Sequence, residues 1–308
     1  MKYITRILVW GILGIHIGIW ILLNIPSVQG RLASLVSVEL SKLLDTEVSV
    51  GHVELGLFNR IHVENVLLED RQGEEMLKVS RLSARFELKP LLEGKITINS
   101  VQLIGFSIHL KKETPESIPN FQFVVDALAS KDTLNKSPNL DLRINSVLLQ
   151  RGHLTYDVLS APETPGKFNA SHVGIRDLSA SVSIKALRND SLNAIVRRLG
   201  FEEQSGFQLK KLGMKLVADN NHLNVNEFRL EFPTSALMLD SVEVRFDSLA
   251  NLSRMTDDVY YKGQLNGSLV LKDFEPLLPV FKNLDRPLDF ALKFNGQGKN
   301  TEIPLLSL

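Results

Sequence analysis

Residues 82–89 read Leu-Ser-Ala-Arg-Phe-Glu-Leu-Lys, apolar at every second position and polar in between. An extended strand with one face buried and the other wetted accounts for that pattern, because successive side chains of a strand point to opposite faces. The same period of two runs through Val48–Leu57, Ile61–Val63, Ile96–Leu110, Leu142–Val158, Val173–Ile184 and Leu212–Leu216. It continues through Leu223–Phe232, Leu237–Phe246, Gly263–Leu271 and Leu288–Phe294. Clean alternation of this kind belongs to antiparallel sheets. The chain from Glu47 onward is therefore expected to be mainly β.

An internal repeat adds to this expectation. Ile98-Asn99-Ser100-Val101-Gln102-Leu103 recurs 46 residues later as Ile144-Asn145-Ser146-Val147-Leu148-Leu149. In both copies the apolar phase slips by one at Asn-Ser, as a β-bulge or tight turn requires. Repeated units of this type predict an elongated stack whose apolar face continues from one unit to the next. The polar stretch Lys131–Asn139 is the best internal boundary, but the repeat lies on both sides of it, so residues 47–308 are read as one region.

Three helical interruptions are expected. Residues 120–128 follow Pro115 and Pro119 and carry Phe121, Phe123, Val124 and Leu128. Asn189 or Asp190 is placed to cap a short helix bearing Leu192, Ile195, Val196 and Leu199, closed by Gly200. A weaker turn is expected within residues 275–281.

The N-terminus obeys a different rule. Residues 7–25 contain no acid, Lys or Arg and hold seven Ile, four Leu and one Val. Nineteen helical residues at about 1.5 Å each span roughly 28 Å, close to the ~30 Å hydrocarbon core of a bilayer. A cleaved signal peptide has a shorter apolar stretch and a small-residue cleavage site. This run instead exits through Asn24-Ile25-Pro26-Ser27. Residues 1–26 are read as an uncleaved single-pass anchor, with Ile7, Trp10, Ile15, Ile19, Trp20 and Leu23 as its membrane-facing residues. Lys2 and Arg6 hold the N-terminus in the cytoplasm, and the bulk of the chain is exported. Residues 27–46 follow as an amphipathic helix in which Leu32, Leu35, Val36, Leu40, Leu43 and Leu44 recur at helical spacing. It is placed to lie on the membrane surface, to plug the end of the sheet or to pack on it.

Composition narrows the function classes. The chain has 35 basic and 35 acidic residues and no cysteine. Zero net charge gives no electrostatic reason to expect nucleic acid. The absence of cysteine excludes disulfides, thiolate metal sites and a cysteine nucleophile, and in an exported chain it suits a bacterial periplasm. His16, His52, His62, His109, His153, His172 and His222 form no pair at metal-ligand spacing. Gly296-Gln297-Gly298 lacks the third glycine of a dinucleotide loop, and neither a P-loop nor a G-x-S-x-G elbow occurs. No catalytic, cofactor-binding or metal-ligating residue is assigned, no cofactor is expected, and the chain is not read as an enzyme.

A family resemblance rests on the combined pattern. The anchor and amphipathic helix lead into Glu47-Val48-Ser49-Val50-Gly51-His52-Val53-Glu54-Leu55. There follows Leu57-Phe58-Asn59-Arg60-Ile61-His62-Val63-Glu64-Asn65-Val66-Leu67-Leu68-Glu69-Asp70-Arg71-Gln72-Gly73. Together with Gly94–Ile98, Asn120–Phe123 and Ser205–Phe207, these segments resemble the N-terminal part of the AsmA-like family, in its TamB-like translocation and assembly module branch of the Bacteroidota type. Members of that family are usually far longer, which implies that this chain is either the N-terminal part of a longer protein or a truncated member. The resemblance implies a twisted, taco-like β-sheet with a hydrophobic groove along its length. It also implies phospholipids and the inner membrane as partners, and lipid movement between inner and outer membranes. An alternative role implied by it is scaffolding the assembly of outer-membrane β-barrel proteins with an Omp85-type partner.

The candidate groove residues are Leu82, Ala84, Phe86, Leu88, Ile96, Ile98, Val101, Leu103, Phe106, Ile108 and Leu110. Alternation by itself is compatible both with an open groove and with the closed core of a β-sandwich.

Overall fold

Strand order in the computed structural model follows chain order, β1 through β13, and every neighbouring pair described is antiparallel. The structure describes Tyr3, Arg6, Trp10, Gly11, Gly14, Gly18 and Ile21, and residues 25–308 except 57–58, 88, 90–94, 130–138 and 188–190. The fold is mainly β, as the alternation requires, and the sheet is not closed: β1 and β13 each have a single neighbour.

The chain divides into two compact units, Met1–Arg143 and Ile144–Leu308. The first holds α1 (Pro26–Leu44), β1 (Val48–Gly56), β2 (Arg60–Glu69), β3 (Glu75–Phe86), β4 (Lys95–Lys112), α2 (Gln122–Ala129) and the start of β5 (Asn139–Val158). The second holds the rest of β5, then β6 (His172–Leu187), β7 (Ser191–Glu203), β8 (Gln208–Ala218), β9 (His222–Glu231) and β10 (Ala236–Arg245). After these come α3 (Leu249–Arg254), β11 (Tyr260–Leu269), two 3-10 turns (Leu271–Phe274 and Pro279–Phe281), β12 (Leu288–Gln297) and β13 (Asn300–Ser307).

In the first unit the register stacks apolar side chains into rows across the strands. Val48, Leu68, Leu77 and Ile108 form one row, and Val50, Val66, Val79 and Phe106 the next. Val53, Val63, Leu82 and Leu103 form a third, and Ile61, Ala84 and Val101 a fourth. Apolar positions are two residues apart within each half of a strand but three apart between the second and third rows. Asn65 and Gly105 lie in that gap with φ of 53° and 62°. A left-handed residue inside a strand breaks the pleat. That break is how rows on both sides of the gap remain on one face.

One end of this face is covered. Val48, Leu68, Met76 and Phe123 form a buried cluster, with Leu40, Leu44, Leu77, Phe121 and Val124 packed against it. Thus α1 contributes its C-terminal leucines and α2 its first turn, so the amphipathic helix packs on the sheet. The β2–β3 turn holds α2 in place. Asp70, 2% exposed, accepts from the backbone N–H groups of Gln72 (2.9 Å) and Glu74 (3.0 Å) and from Asn120 Nδ2 (3.2 Å). Lys111 Nζ lies 3.5 Å from its second oxygen. Burial opposes ionisation of Asp70, but the hydrogen bonds from Glu74, Asn120 and Gln72 and the Lys111 charge outweigh it and hold its carboxyl below the ordinary range.

Two sequence expectations on helices meet different outcomes. Residues 122–129 are helical, as expected. The helix expected after Asn189 or Asp190 is instead β7, paired with β6 and β8 along Ser191–Glu203. The cause is a bulge. Arg197 and Arg198 together oppose Gly213, so Val196 and Leu199 face the same way three residues apart and imitate helical spacing. Within residues 275–281, the second 3-10 turn occupies Pro279–Phe281.

Of the expected anchor, Ile7, Ile15, Ile19, Trp20 and Leu23 lie outside the described residues. Trp10 is helical and 70% exposed. No helix among the described residues is long and apolar enough to cross a membrane.

Candidate functional site

Most of the candidate groove residues meet as cross-strand partners. Phe86 lies opposite Ile98, Ala84 opposite Val101 and Leu82 opposite Leu103, while Phe106 faces Val79 and Ile108 faces Leu77. Leu110 follows on β4 and is half-buried. Leu88 lies outside the described residues, and Ile96 belongs to β4 with its side chain outside them. The register also contains the expected slip at Asn-Ser in the first repeat: Arg85 pairs with Ser100 and Phe86 with Ile98, leaving Asn99 as the extra residue. Burial separates the candidates. Phe106 is 3% exposed and its partner Val79 is fully buried, so this pair belongs to the packed core beside the helix-covered cluster. Leu82, Phe86, Ile98, Val101 and Leu103 are half-buried.

The second unit carries a broader apolar face that no individual motif in the sequence singles out. Ala180, Leu199, Leu212, Leu230 and Leu237 align across β6–β10. Beside them, Val182, Val196 and Met214 align across β6–β8, and Phe228, Leu239, Leu265, Leu292 and Leu306 across β9–β13. A third row runs Ile184, Ala194, Leu216, Val225 and Val242, passes Gly263 and ends at Phe294. A Cβ on Gly263 would stand 2.6 Å from the Phe294 ring and 2.7 Å from Val242, so the two neighbours fill the place that glycine leaves bare. Strands β6 through β12 at about 4.8 Å each make this face roughly 29 Å wide.

Most positions in these rows are half-buried, while Ala180 is buried and Ile184 and Leu306 are exposed. Strand contacts in this unit are those between sequence neighbours, and among the described residues no second sheet lies over them. The face is closed at both ends: Phe246 and Val259 are 3% and 0% exposed at one, and an aromatic cluster lies at the other. The Phe207 ring lies 6.3 Å from Phe201, 5.8 Å from Phe232 and 6.2 Å from Phe274, and Phe232 and Phe274 meet edge-on at 4.8 Å. Asp273 fixes this end by accepting from Thr234 Oγ1 (2.8 Å), Ser235 Oγ (2.6 Å) and the Thr234 N–H.

Charge is kept off the rows. Cross-strand pairs such as Arg81–Glu64 (2.6 Å) and Lys262–Glu243 (2.9 Å) lie at register positions between the apolar ones. The Lys262 hydrogen bond and charge hold the Glu243 carboxyl below its ordinary range. Among the described residues no group of three His, Asp or Glu is placed to hold a metal ion.

One histidine has a defined role in the second unit. His172 places Nδ1 2.9 Å from Asp157 Oδ1 and Nε2 2.9 Å from the Ala161 carbonyl. Both partners are acceptors, so both ring nitrogens must carry protons. The Asp157 hydrogen bond first, then the Ala161 carbonyl and the charges of Asp157 and Glu163, raise its pKa above the ordinary value of 6.5. Because the folded-state value is raised, the stabilisation is complete below the unfolded value and is lost as pH rises through the folded one. Hydrogen exchange in residues 159–171 is therefore expected to accelerate as pH rises through that window, beyond the intrinsic chemistry. His172→Gln should remove this pH step. An identical step in the variant would show that His172 does not hold the loop.

No protein-family model matches the chain, and no curated protein matches it.

Proposed function

We propose that the chain is an inner-membrane-anchored periplasmic protein that binds phospholipid acyl chains on its apolar sheet faces and conducts them between the inner and outer membranes. The observation that supports this reading is the set of half-buried rows in the second unit, Leu199 to Leu237 and Phe228 to Leu292, which lack a covering layer among the described residues. Soluble proteins rarely leave an apolar patch larger than a few hundred Å² exposed unless something binds there. An acyl chain gains about 0.8 kcal/mol for each CH₂ withdrawn from water, so a tail laid along such rows is held without any polar contact. The ladder of cross-strand ion pairs keeps the remaining side of the strands wetted.

A second reading, a scaffold for outer-membrane β-barrel assembly with an Omp85-type partner, is supported by β1. Among the described residues that strand has β2 as its one neighbour, which leaves backbone groups able to pair with an added strand.

Photocrosslinking in cells tests both readings. Probes at Leu103, Leu239 and Leu265 are expected to yield phospholipid adducts, and probes at Arg85 and Lys262 none. The lipid reading fails if the three apolar sites give no lipid. Protein adducts at Ser49 of β1, with no lipid elsewhere, would favour the scaffold.

A further inference from the structure

The bulges of β7, β9 and β10 do more than keep the apolar rows in phase. Beside them, where Gly213 pairs with Arg229 and Arg229 with Met238, lies a cleft of about 690 Å³. Ligand pockets typically span about 300–1,000 Å³. Gly213, itself buried, lies at its base, where an added Cβ would make ordinary contacts with the Arg197 and Val196 carbonyl oxygens, both at 3.5 Å. Around that floor stand Arg197, Lys211, Lys215 and Arg229, with Glu227 and Asp240 as the only acids. In a chain of zero net charge, four cations facing two anions around one hollow is a local positive excess.

The cations are only partly neutralised. Lys215 is paired with Glu227, and Arg229 Nε lies 3.7 Å from Glu231. Arg197 Nη1 donates to Ser183 Oγ at 2.6 Å, which fixes the arm while its other donors keep no acid partner among the described residues. Lys211 likewise has no ion pair among them. One wall is apolar: Ile195 and the 42%-exposed Met238, whose sulfur takes a 3.4 Å contact from Arg229 Nη2.

We propose that this cleft binds the phosphate ester of an amphiphile, with the phosphate among Arg197, Lys211 and Lys215 and the alkyl part along Ile195 and Met238. Guanidinium forks suit phosphate oxygens because they donate two parallel hydrogen bonds, and a flexible thioether accommodates alkyl groups of varied shape. Val196, Met214, Phe228 and Leu239 of the apolar rows also border the cleft, but the phosphate site is argued from its cations and does not require the lipid-conducting reading.

Hexyl phosphate, inorganic phosphate and hexanol are titrated calorimetrically into the full chain in maltoside micelles. Hexyl phosphate is expected to bind with one-to-one stoichiometry, inorganic phosphate at least about tenfold more weakly, and hexanol not measurably. The double variant Arg197→Gln/Lys211→Gln should weaken hexyl phosphate by about tenfold or more, the loss expected when charge-assisted hydrogen bonds disappear. Gly213→Leu should do the same with every charge in place, because its side chain occupies the cleft. Circular dichroism and the thermal midpoint separate these effects from unfolding in the double variant. Equal affinity for inorganic and hexyl phosphate would overturn the amphiphile assignment. Unchanged hexyl phosphate binding in both variants, or no binding to the wild type, would overturn the site itself.

Discussion

Replacing Val79 with Asp is expected to abolish cooperative folding of the first unit. Val79 is fully buried, and its row neighbours Val66 and Phe106 are 8% and 3% exposed. A carboxyl group there meets only hydrocarbon. Burying a polar group without a partner costs about 2–7 kcal/mol, and a charged carboxylate more. Domain stability is typically about 5–15 kcal/mol, so one such group removes much of it. Val79→Thr, similar in shape but with one hydroxyl, should cost about 1–3 kcal/mol and leave a cooperative transition. Leu82→Asp supplies the contrast. Leu82 is itself half-buried, so a carboxylate there can reach water although Val63 and Ala84 beside it are buried, and the unit should still fold. Urea unfolding followed by circular dichroism reads all three. A native-like midpoint for Val79→Asp would mean that the row is not the core of this unit.

The second large effect belongs to Gly200→Val. A Cβ at Gly200 would stand 2.8 Å from the Lys210 carbonyl oxygen and 3.1 Å from that of Leu209. Both obstacles are backbone, so no side-chain rotation relieves them, and β7 must move away from β8. Here Gly200 alone opposes Lys210 and Lys211, which makes the close approach a product of the β8 bulge. Overpacking of this kind costs about 1–3 kcal/mol, and hydrogen exchange along Leu199–Glu203 should accelerate with it. Gly213→Ala is the control, because its added atom makes only ordinary contacts at 3.5 Å. Equal stability of the two variants would show that β7 and β8 are not in tight register at Gly200.

Both units break the alternation, but the candidate residues of the first lie mostly within unbroken stretches. There Leu82, Ala84 and Phe86 are apolar at period two, and the register places them opposite Leu103, Val101 and, after the slip at Asn99, Ile98. In the second, the period is interrupted strand after strand: Leu149 to Gly152, Ile175 to Leu178, Val196 to Leu199, Leu209 to Leu212, Val225 to Phe228 and Leu239 to Val242 are three apart. A spacing of three also occurs on helices, and at Val196–Leu199 it produced the helix expectation that β7 corrects. The recurrence of that spacing in successive strands was the available signal for aligned bulges. Each instance is local and ambiguous, whereas a bulge is defined by the partner strand, two residues on one side opposing one on the other.

The sequence by itself determined the fold class, because side-chain alternation is a property of a single extended chain and needs no partner to be read. It also determined the amphipathic helix, expected at residues 27–46 and observed at Pro26–Leu44, and the helix after Pro119, since helical spacing is equally local. Only the tertiary structure decided which apolar residues are core and which are surface. Phe106 and Leu103 lie three residues apart on β4 and read alike in the sequence, yet one is buried and the other half-exposed. The difference follows from burial itself, which depends on what the rest of the chain brings to within contact distance: beside Phe106 lie Val79 and the end of the sheet covered by α1 and α2, and Leu103 lies beyond the break at Gly105.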